Sequence, residues 1–142
     1  MTDVFPAQVR SAIMKAVRDR DTAPELAVRS LLHQIGYRYR LHVRSLPGTP
    51  DIVFPSRKKI VLVHGCFWHR HRCDAGRSFP ASRIDYWRTK FAKNCSRDKK
   101  NQRTLRRGGW GVLVIWECQT SSLPQIAAKL TAFLGPTRVR GW

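Results

Sequence analysis

The chain has 142 residues, a length that suits one domain with a buried core, and its 27 Lys and Arg against 9 Asp and Glu give a formal net charge of +18 at pH 7. This charge favours a polyanionic partner, with nucleic acid as the first candidate, and no lipidation motif or basic amphipathic anchor favours a membrane. The sequence contains neither an apolar run that could span a bilayer nor a signal-peptide core, so we expect a cytoplasmic protein with reduced cysteines.

Two helical patterns occupy the N-terminal part of the chain. Residues 10–18 have a weak basic amphipathic pattern, which predicts a helix that either docks on the domain or reaches onto DNA. Residues 24–35 predict a second helix, and Glu25 falls in its first turn, where interaction with the helix dipole is the simplest explanation. The residues predicted to face inward from this second helix are Leu26, Leu31, Leu32 and Ile35.

Strand patterns follow. Apolar and basic residues alternate over residues 37–43, which predicts a strand with one buried and one basic face. A turn then leads to a strand that begins at Asp51, and a second turn leads to an apolar strand over residues 59–63. Residues 110–116 are also apolar, and they predict a central strand of the same sheet.

The remaining segments are helical. A helix beginning near Arg83 carries Ile84, Trp87 and Phe91 at helical spacing, for which core packing is the simplest explanation. Residues 93–107 are mostly polar and basic, which predicts a helix with a phosphate-facing surface. An amphipathic helix over residues 123–134 closes the fold. This order predicts an α/β protein with a mixed central β-sheet flanked by helices on both faces.

A cluster of soft metal ligands lies in residues 63–73, Val-His-Gly-Cys-Phe-Trp-His-Arg-His-Arg-Cys, which contain three of the five histidines. Four such ligands complete a tetrahedral zinc site. The thiol candidates are Cys66, Cys73 and Cys118. Cys118 is preferred to Cys95 because it follows a predicted strand. The spacing leaves open whether the histidine is His69 or His71, and whether the cluster arises by chance.

A second constellation surrounds Asp51. The Pro50-Asp51 pair stands at the start of a strand in a β-hairpin whose second strand ends at Val63 and His64. This is the layout of the PD-(D/E)xK nucleases, in which an Asp and an acid-x-Lys element hold Mg²⁺. Here the second acid is missing, and His64 stands where the lysine is expected.

That departure is shared with a known family. The sequence closely resembles the very-short-patch repair (Vsr) endonucleases, which nick DNA at T:G mismatches and have a restriction-endonuclease-like fold with a structural zinc loop. The matching segments are residues 18–22, 46–48, 50–51, 64–69, 71, 73, 87, 90, 93–94, 97–98, 109–110 and 114–118. The resemblance spans residues 10–118, and its His-Gly-Cys-Phe-Trp-His run with a distant Trp-Glu-Cys is highly specific.

The resemblance implies a catalytic role for five positions. Asp51 would bind Mg²⁺ together with the backbone carbonyl of Val63. His69 would serve as general base, His64 would orient the reacting groups, and Glu25 would support the site through water.

It implies structural and DNA-contacting roles as well. The implied zinc ligands are Cys66, His71, Cys73 and Cys118. The side chains expected to intercalate beside the mismatch are Phe67, Trp68 and Trp87. The implied DNA-binding residues are Met14, Lys90 and Asn94. Within a single domain over residues 1–142, residues 1–20 would form a DNA-contacting arm and residues 64–82 the zinc and intercalating loop.

The resulting hypothesis is a monomeric, Mg²⁺-dependent, strand-specific endonuclease that nicks duplex DNA 5′ to the thymine of a T:G mismatch. It would act in very-short-patch repair as a nucleoid-associated protein in the cytoplasm of a prokaryote, with mismatch-repair proteins as candidate partners. Two alternatives stay open. One is a related nicking nuclease with another target, and the other is an inactive, zinc-stabilised DNA-binding module, because the second acid is missing.

Overall fold

The computed structural model describes residues 22–73, 77 and 82–137, with the side chains of Phe67 and Trp68 excluded. The predicted arm over residues 1–20, including Met14, therefore lies outside the described residues, as does most of the 74–81 segment. The described helices are α1 (Ala23–Ile35), α2 (Cys66–His69), α3 (Ile84–Arg107) and α4 (Leu123–Leu134). The described strands are β1 (Arg40–Leu41), β2 (Ile52–Phe54), β3 (Lys59–His64) and β4 (Gly111–Trp116).

The strands form one mixed sheet in the order β1-β2-β3-β4. Strand β2 is antiparallel to both β1 and β3, and β4 runs parallel to β3 after the crossover through α3. The mixed α/β fold is thus confirmed. The prediction that residues 110–116 form a central strand is wrong, since β4 ends the sheet among the described residues. Its apolar sequence arises because both of its faces are covered.

Two apolar layers cover the sheet. On one face, α1 and α4 pack against alternate strand residues, and the buried members are Val28, Leu32, Tyr37, Ile52, Phe54, Val61, Ile115, Ile126, Leu130 and Leu134. On the other face, Leu105 of α3 packs against Val53, Ile60 and Leu62. Helices therefore flank both faces as predicted. Every helix in these ranges is too short or too polar to traverse a bilayer.

Helix α1 agrees with its prediction except at Leu26. Its N-terminus is capped by Thr22, whose Oγ1 accepts the Glu25 N–H at 3.4 Å, and it ends at Gly36 in the left-handed conformation with φ 116°. Leu26 is 47% exposed, so its predicted inward orientation is wrong. Val28 lies in the core instead, because at about 100° per residue the two side chains point to opposite sides of the helix.

Two other predicted elements differ in length. Of the strand predicted over residues 37–43, only Arg40–Leu41 pairs with β2, because His42 adopts φ 47° and ends the extended backbone. The two helical segments after residue 83 form one continuous helix, α3, of 24 residues. Ile84 at its start is 46% exposed and does not join Trp87 in the core.

Candidate active site and metal-ligand cluster

The sheet topology gathers the predicted site residues at one edge. His64 and Trp116 are register partners at the ends of parallel strands β3 and β4, so the loops that follow both strands leave from the same side. Strand β2 is antiparallel to β3, so Asp51, just before β2, lies at that edge as well. Glu25 reaches the edge from the first turn of α1.

Asp51 is held against the backbone of β3. Its Oδ2 accepts the Val63 N–H at 2.8 Å. Burial raises the pKa of Asp51 to about 7, and the hydrogen bond from Val63 opposes that rise only in part. A buried carboxylate of this kind is stabilised by a cation, and a carboxylate beside a backbone carbonyl matches the oxygen ligands that Mg²⁺ prefers. Asp51 and Val63 therefore fit the cation that the resemblance implied.

Glu25 lies in a buried polar contact beside Asp51. It is 2% exposed, and its Oε2 accepts hydrogen bonds from His42 Nε2 at 2.8 Å and from Arg29 Nη1 at 3.3 Å. Ligand atoms of Glu25, His42 and Asp51 all lie within 4.8 Å of one another. The helix dipole explains why an acid suits this turn but not why it is buried here, so the structure favours a role in the site.

His64 and His69 form a stacked pair. Their rings are parallel within 7°, and their centroids are 3.9 Å apart. Burial lowers the pKa of His64 to about 4, with a further contribution from His69, so its ring is neutral at pH 7. His69 Nδ1 is hydrogen-bonded to Asp98 Oδ2 on α3. In a neutral His69 ring whose Nδ1 donates to Asp98, the Nε2 lone pair can accept a proton.

The thiol cluster also comes together. Single ligand atoms of four residues lie within 4.8 Å of one another, and these residues are Cys66, His71, Cys73 and Cys118. His71 Nδ1 is 3.4 Å from the Cys118 Sγ and 3.8 Å from the Cys66 Sγ. Neighbouring ligands around a tetrahedral zinc ion are separated by roughly 3.5–4 Å, so these four fit that metal.

Backbone contacts hold Cys66 in place within this cluster. The four cysteines, all of them within the described residues, form no disulfide bonds. Burial raises the pKa of the Cys66 thiol to about 12, so this thiol is protonated at pH 7 unless a cation stabilises the thiolate. The Cys118 N–H already donates to the Cys66 Sγ at 3.3 Å, and Glu117 Oε1 accepts the Cys66 N–H at 3.3 Å. The fourth cysteine, Cys95, lies apart, with its thiol directed at the His69 carbonyl.

The predicted DNA-contacting residues are placed in different ways. The backbone of Phe67 and Trp68 forms the middle of α2, between a thiol-cluster residue, Cys66, and a residue of the stacked pair, His69. Trp87 was expected to intercalate, but it is 5% exposed and packs on Phe91 with ring centroids 5.6 Å apart. The indole is therefore inside the protein here, the packing that helical spacing alone favoured. Lys90 and Asn94, one and two turns further along α3, are partly exposed.

Sequence reasoning missed two acidic contacts and one histidine. Asp98 was counted among the matching positions but was given no role, and its signal was a helical register that it shares with Phe91 and Leu105. His42 was assigned to the basic, outward face of a strand, and nothing local marks it as a partner of Glu25. The Glu117 contact to the Cys66 backbone was likewise not predicted.

The mixed sheet and the residues gathered at its edge, Asp51, His64 and His69, together define the class of protein, an endonuclease built on a restriction-endonuclease-like sheet. The family described as DNA mismatch endonuclease Vsr matches residues 2–75. A relative from Xanthomonas oryzae pv. oryzae, the Type II nicking enzyme V.XorIIP, is 50% identical over 137 residues, which cover 96% of this chain and 100% of that protein.

Two more relatives are also named as a nicking enzyme or a mismatch endonuclease. The Type II nicking enzyme V.NmeAIP of Neisseria meningitidis is 43% identical over 119 residues, 84% of each chain. The DNA mismatch endonuclease Vsr of Escherichia coli (strain K12) is 42% identical over 118 residues, 83% of this chain and 75% of that protein. The chain belongs to the Vsr family of DNA mismatch endonucleases.

Proposed function

We propose that this endonuclease nicks one strand of duplex DNA 5′ to the thymine of a T:G mismatch, in a reaction that requires Mg²⁺ and begins very-short-patch repair. The observation that carries the proposal is the convergence of Asp51, His64 and His69 at one sheet edge. The relatives named as nicking enzymes and as a mismatch endonuclease support a DNA-nicking activity.

Asp51 and the Val63 carbonyl would hold the divalent cation. When bound, the cation supplies Lewis-acid stabilisation of the negative charge that develops on the phosphate and the leaving oxygen. The protein contributes a buried carboxylate whose position is set by the Val63 N–H. Glu25 lies beside Asp51 and adds a second buried carboxylate to the same region.

His69 is the proposed general base. Its Nε2 would take the proton from the attacking water, and Asp98 would accept the Nδ1–H and stabilise the imidazolium that results. His64 stacks on His69 and fixes the plane of its ring. Since the low pKa of His64 keeps it neutral at pH 7, it is suited to donate a hydrogen bond to the phosphate rather than to contribute charge.

Asp98 is then a positioning residue, and Asp98→Asn is expected to lower the nicking rate constant by roughly 10²–10⁴-fold with little change in KM for DNA. The asparagine amide can donate to Nδ1, which leaves the proton on Nε2 and blocks proton acceptance. Single-turnover nicking as a function of pH provides the measurement. Asp85→Asn is the matched control, because Asp85 lies on the same helix with its side chain fully solvent-exposed. A wild-type rate and pH profile for Asp98→Asn would remove Asp98 from the mechanism.

Phe67 and Trp68 are the proposed sensors of the mismatch. A T:G pair carries no chemical lesion, so the enzyme has to detect weak stacking and altered base edges. Phe67 and Trp68 lie on a one-turn helix that is fixed at Cys66 and at His69, and apolar wedges unstack bases most cheaply at a mispaired step. We propose that they intercalate, with Met14 entering from the arm. For Trp87 to join them, its buried indole would have to turn outward from Phe91 when DNA binds. Lys90 and Asn94 would contact the mismatched bases.

Helix α3 offers a surface for the DNA backbone. Seven exposed cations are distributed over its last 15 residues, and these are Lys93, Arg97, Lys99, Lys100, Arg103, Arg106 and Arg107. Affinity for duplex DNA should fall by about 10³-fold between about 50 and 200 mM salt if roughly six phosphates are neutralised. Fluorescence anisotropy over that range measures the slope. A flat salt profile would contradict phosphate-led binding.

The proposal is tested by nicking of labelled duplexes that differ only in a T:G or a T:A pair, with and without added Mg²⁺. Magnesium is omitted rather than chelated, because a chelator would also remove zinc. Cutting of the T:G duplex alone, and only with Mg²⁺, is expected. Equal cutting of both duplexes would favour a nuclease with another target. Tight binding without cutting by zinc-loaded protein would favour an inactive DNA-binding module.

A further inference from the structure

A second group of potential metal ligands lies beside the catalytic aspartate. We propose that Glu25, His42 and Asp51 together bind a divalent cation through a mixed nitrogen–oxygen ligand set, and that His42 makes this site prefer Mn²⁺ to Mg²⁺. The inference rests on the proposed function in that Asp51 serves the cation required for nicking. It adds two direct protein ligands, Glu25 and His42, and a metal preference.

The geometry suits coordination. The three ligand atoms lie within 4.8 Å of one another, and Glu25 Oε2 is 2.8 Å from His42 Nε2. Adjacent ligands of an octahedral cation with bonds of about 2.1 Å are separated by roughly 3 Å. Once the His42 ring carries its proton on Nδ1, the Nε2 lone pair is available, and a cation can occupy the space facing this pair with little movement of either side chain. Both side chains are already withdrawn from solvent, at 2% exposure for Glu25 and 12% for His42.

The backbone brings His42 to this place. His42 has φ 47°, a conformation that a non-glycine residue rarely adopts, and its N–H donates to the Asp51 carbonyl at 3.1 Å. This bend ends strand β1 and ties the histidine directly to the residue that carries the catalytic carboxylate. Unusual backbone conformations of this kind concentrate at functional sites.

Charge balance favours a cation in this space. Glu25 and Asp51 bring two carboxylates into one buried region, and Arg29 pairs with Glu25 at 3.3 Å. Within the described ranges, no lysine or arginine lies at ion-pair distance from Asp51. Arg29 accounts for one negative charge, so a divalent cation shared by the three ligands would offset the remaining one and leave one positive charge to face a phosphate.

The ligand chemistry sets the metal preference. Carboxylate oxygens suit Mg²⁺ and Mn²⁺ alike, whereas an imidazole nitrogen binds first-row transition metals better than Mg²⁺. His42 is therefore the residue that should distinguish the two ions. Mn²⁺ is also paramagnetic, which makes it a direct probe of a nitrogen ligand.

The experiment uses the full, zinc-loaded chain without DNA. Mn²⁺ binding is measured by electron paramagnetic resonance of the free ion, with Mg²⁺ as competitor. We expect the wild type to bind Mn²⁺ at least about tenfold more tightly than Mg²⁺. His42→Gln can still donate a hydrogen bond to Glu25 but offers no nitrogen ligand. It should weaken Mn²⁺ binding by about tenfold or more and change Mg²⁺ binding little.

Two controls locate the effect. His33→Gln replaces an exposed histidine in the last turn of α1 and should leave both affinities unchanged. Asp98→Asn alters the separate group of His64, His69 and Asp98, which also offers three ligand atoms. Loss of Mn²⁺ binding in Asp98→Asn with wild-type binding in His42→Gln would overturn the proposal, because the cation would then occupy the other group.

A spectroscopic measurement on the wild type keeps the inference testable even if His42→Gln is unstable. Electron spin-echo modulation from an imidazole nitrogen is expected for bound Mn²⁺, and its absence would show that the histidine only pairs with Glu25. The T:G nicking assay in Mg²⁺ judges the proposed function separately. Normal nicking with unchanged Mn²⁺ affinity in His42→Gln rejects this inference alone. His42-dependent Mn²⁺ binding without any nicking supports it and rejects the proposed function.

Discussion

Replacement of Asp51 with asparagine is expected to lower the nicking rate by at least about 10³-fold while changing the affinity for T:G duplex DNA by no more than about twofold. The amide keeps the size of the side chain, and its oxygen can still accept the Val63 N–H. It lacks the negative charge that a divalent cation requires. Single-turnover nicking and anisotropy on the same duplex measure the two quantities.

Asp85→Asn is again the matched control, since it removes one exposed negative charge without touching the sheet edge. Nicking by Asp85→Asn should equal that of the wild type. A parallel loss of DNA affinity in Asp51→Asn would show that Asp51 supports the DNA-binding surface rather than catalysis alone. Asp51→Ala should behave as Asp51→Asn does in nicking, because both remove the charged ligand.

The same substitution should make the protein more stable when Mg²⁺ is absent. In the unfolded chain Asp51 ionises near its ordinary value of 3.8, whereas burial raises its pKa in the folded state to about 7. Asp51 therefore does not destabilise the folded state below pH 3.8, where it is protonated in both states. Its cost to the free energy of unfolding grows as the pH rises from 3.8 to about 7. At pH 8 the buried charge costs on the order of 2–4 kcal/mol, which Asp51→Asn removes.

Urea unfolding at pH 8 and pH 5 measures this difference in the free energy of unfolding. The stabilisation by Asp51→Asn should be large at pH 8 and smaller at pH 5. His64, whose lowered pKa makes both proteins less stable as the pH falls from 6.5 towards 4, contributes equally to each and cancels in the difference. Added Mg²⁺ should stabilise the wild type only. Equal stability of the two proteins at pH 8 would contradict a buried, uncompensated Asp51.

The second large effect is expected at Cys118. Cys118→Ser should release zinc and lower the melting temperature by at least about 10 °C, because metal-binding free energy is folding free energy in a closed structural site. The Cys118 side chain is exposed, so the change to serine leaves no cavity in the core. A loss of stability would therefore come from the metal rather than from packing.

Zinc content by mass spectrometry and thermal unfolding by circular dichroism measure the outcome. Cys95→Ser is the matched control, since Cys95 is also a free thiol but lies outside the ligand cluster. It should keep one zinc per chain. An unchanged zinc content in Cys118→Ser would remove Cys118 from the metal site. If the zinc anchors α2, the fraction of the Cys118→Ser protein that stays folded should also discriminate less between T:G and T:A duplexes in the nicking assay.

The choice between His69 and His71 illustrates where spacing alone stops. The two histidines are separated by one residue, and either can be written into the ligand pattern. In the structure, α2 ends at His69 and Arg70 adopts φ 54°, which turns the chain so that His71 faces the thiols while His69 faces Asp98. A left-handed arginine has no sequence signature, so residue types could not make this choice. The family resemblance made it.

The contacts of Glu25 and His69 could not be predicted from local patterns either. Glu25 pairs with a residue 17 positions away and His69 with one 29 positions away. Helical and strand patterns report neighbours within a few residues and say nothing about partners at such separations. His42 was assigned to an outward face because alternation assumes an extended backbone, and its positive φ ends that backbone.

The sequence by itself determined the net positive charge that favours a polyanionic partner, the limits of α1, the apolar strands and the residues able to bind metal. These features depend on composition and on short-range periodicity. Only the tertiary structure decided which of those residues meet. Parallel pairing of β3 with β4 carries Cys118 to Cys66, and the packing of α1 and α3 on opposite faces carries Glu25 to His42 and Asp98 to His69. Such meetings depend on how whole elements pack, which no local pattern encodes.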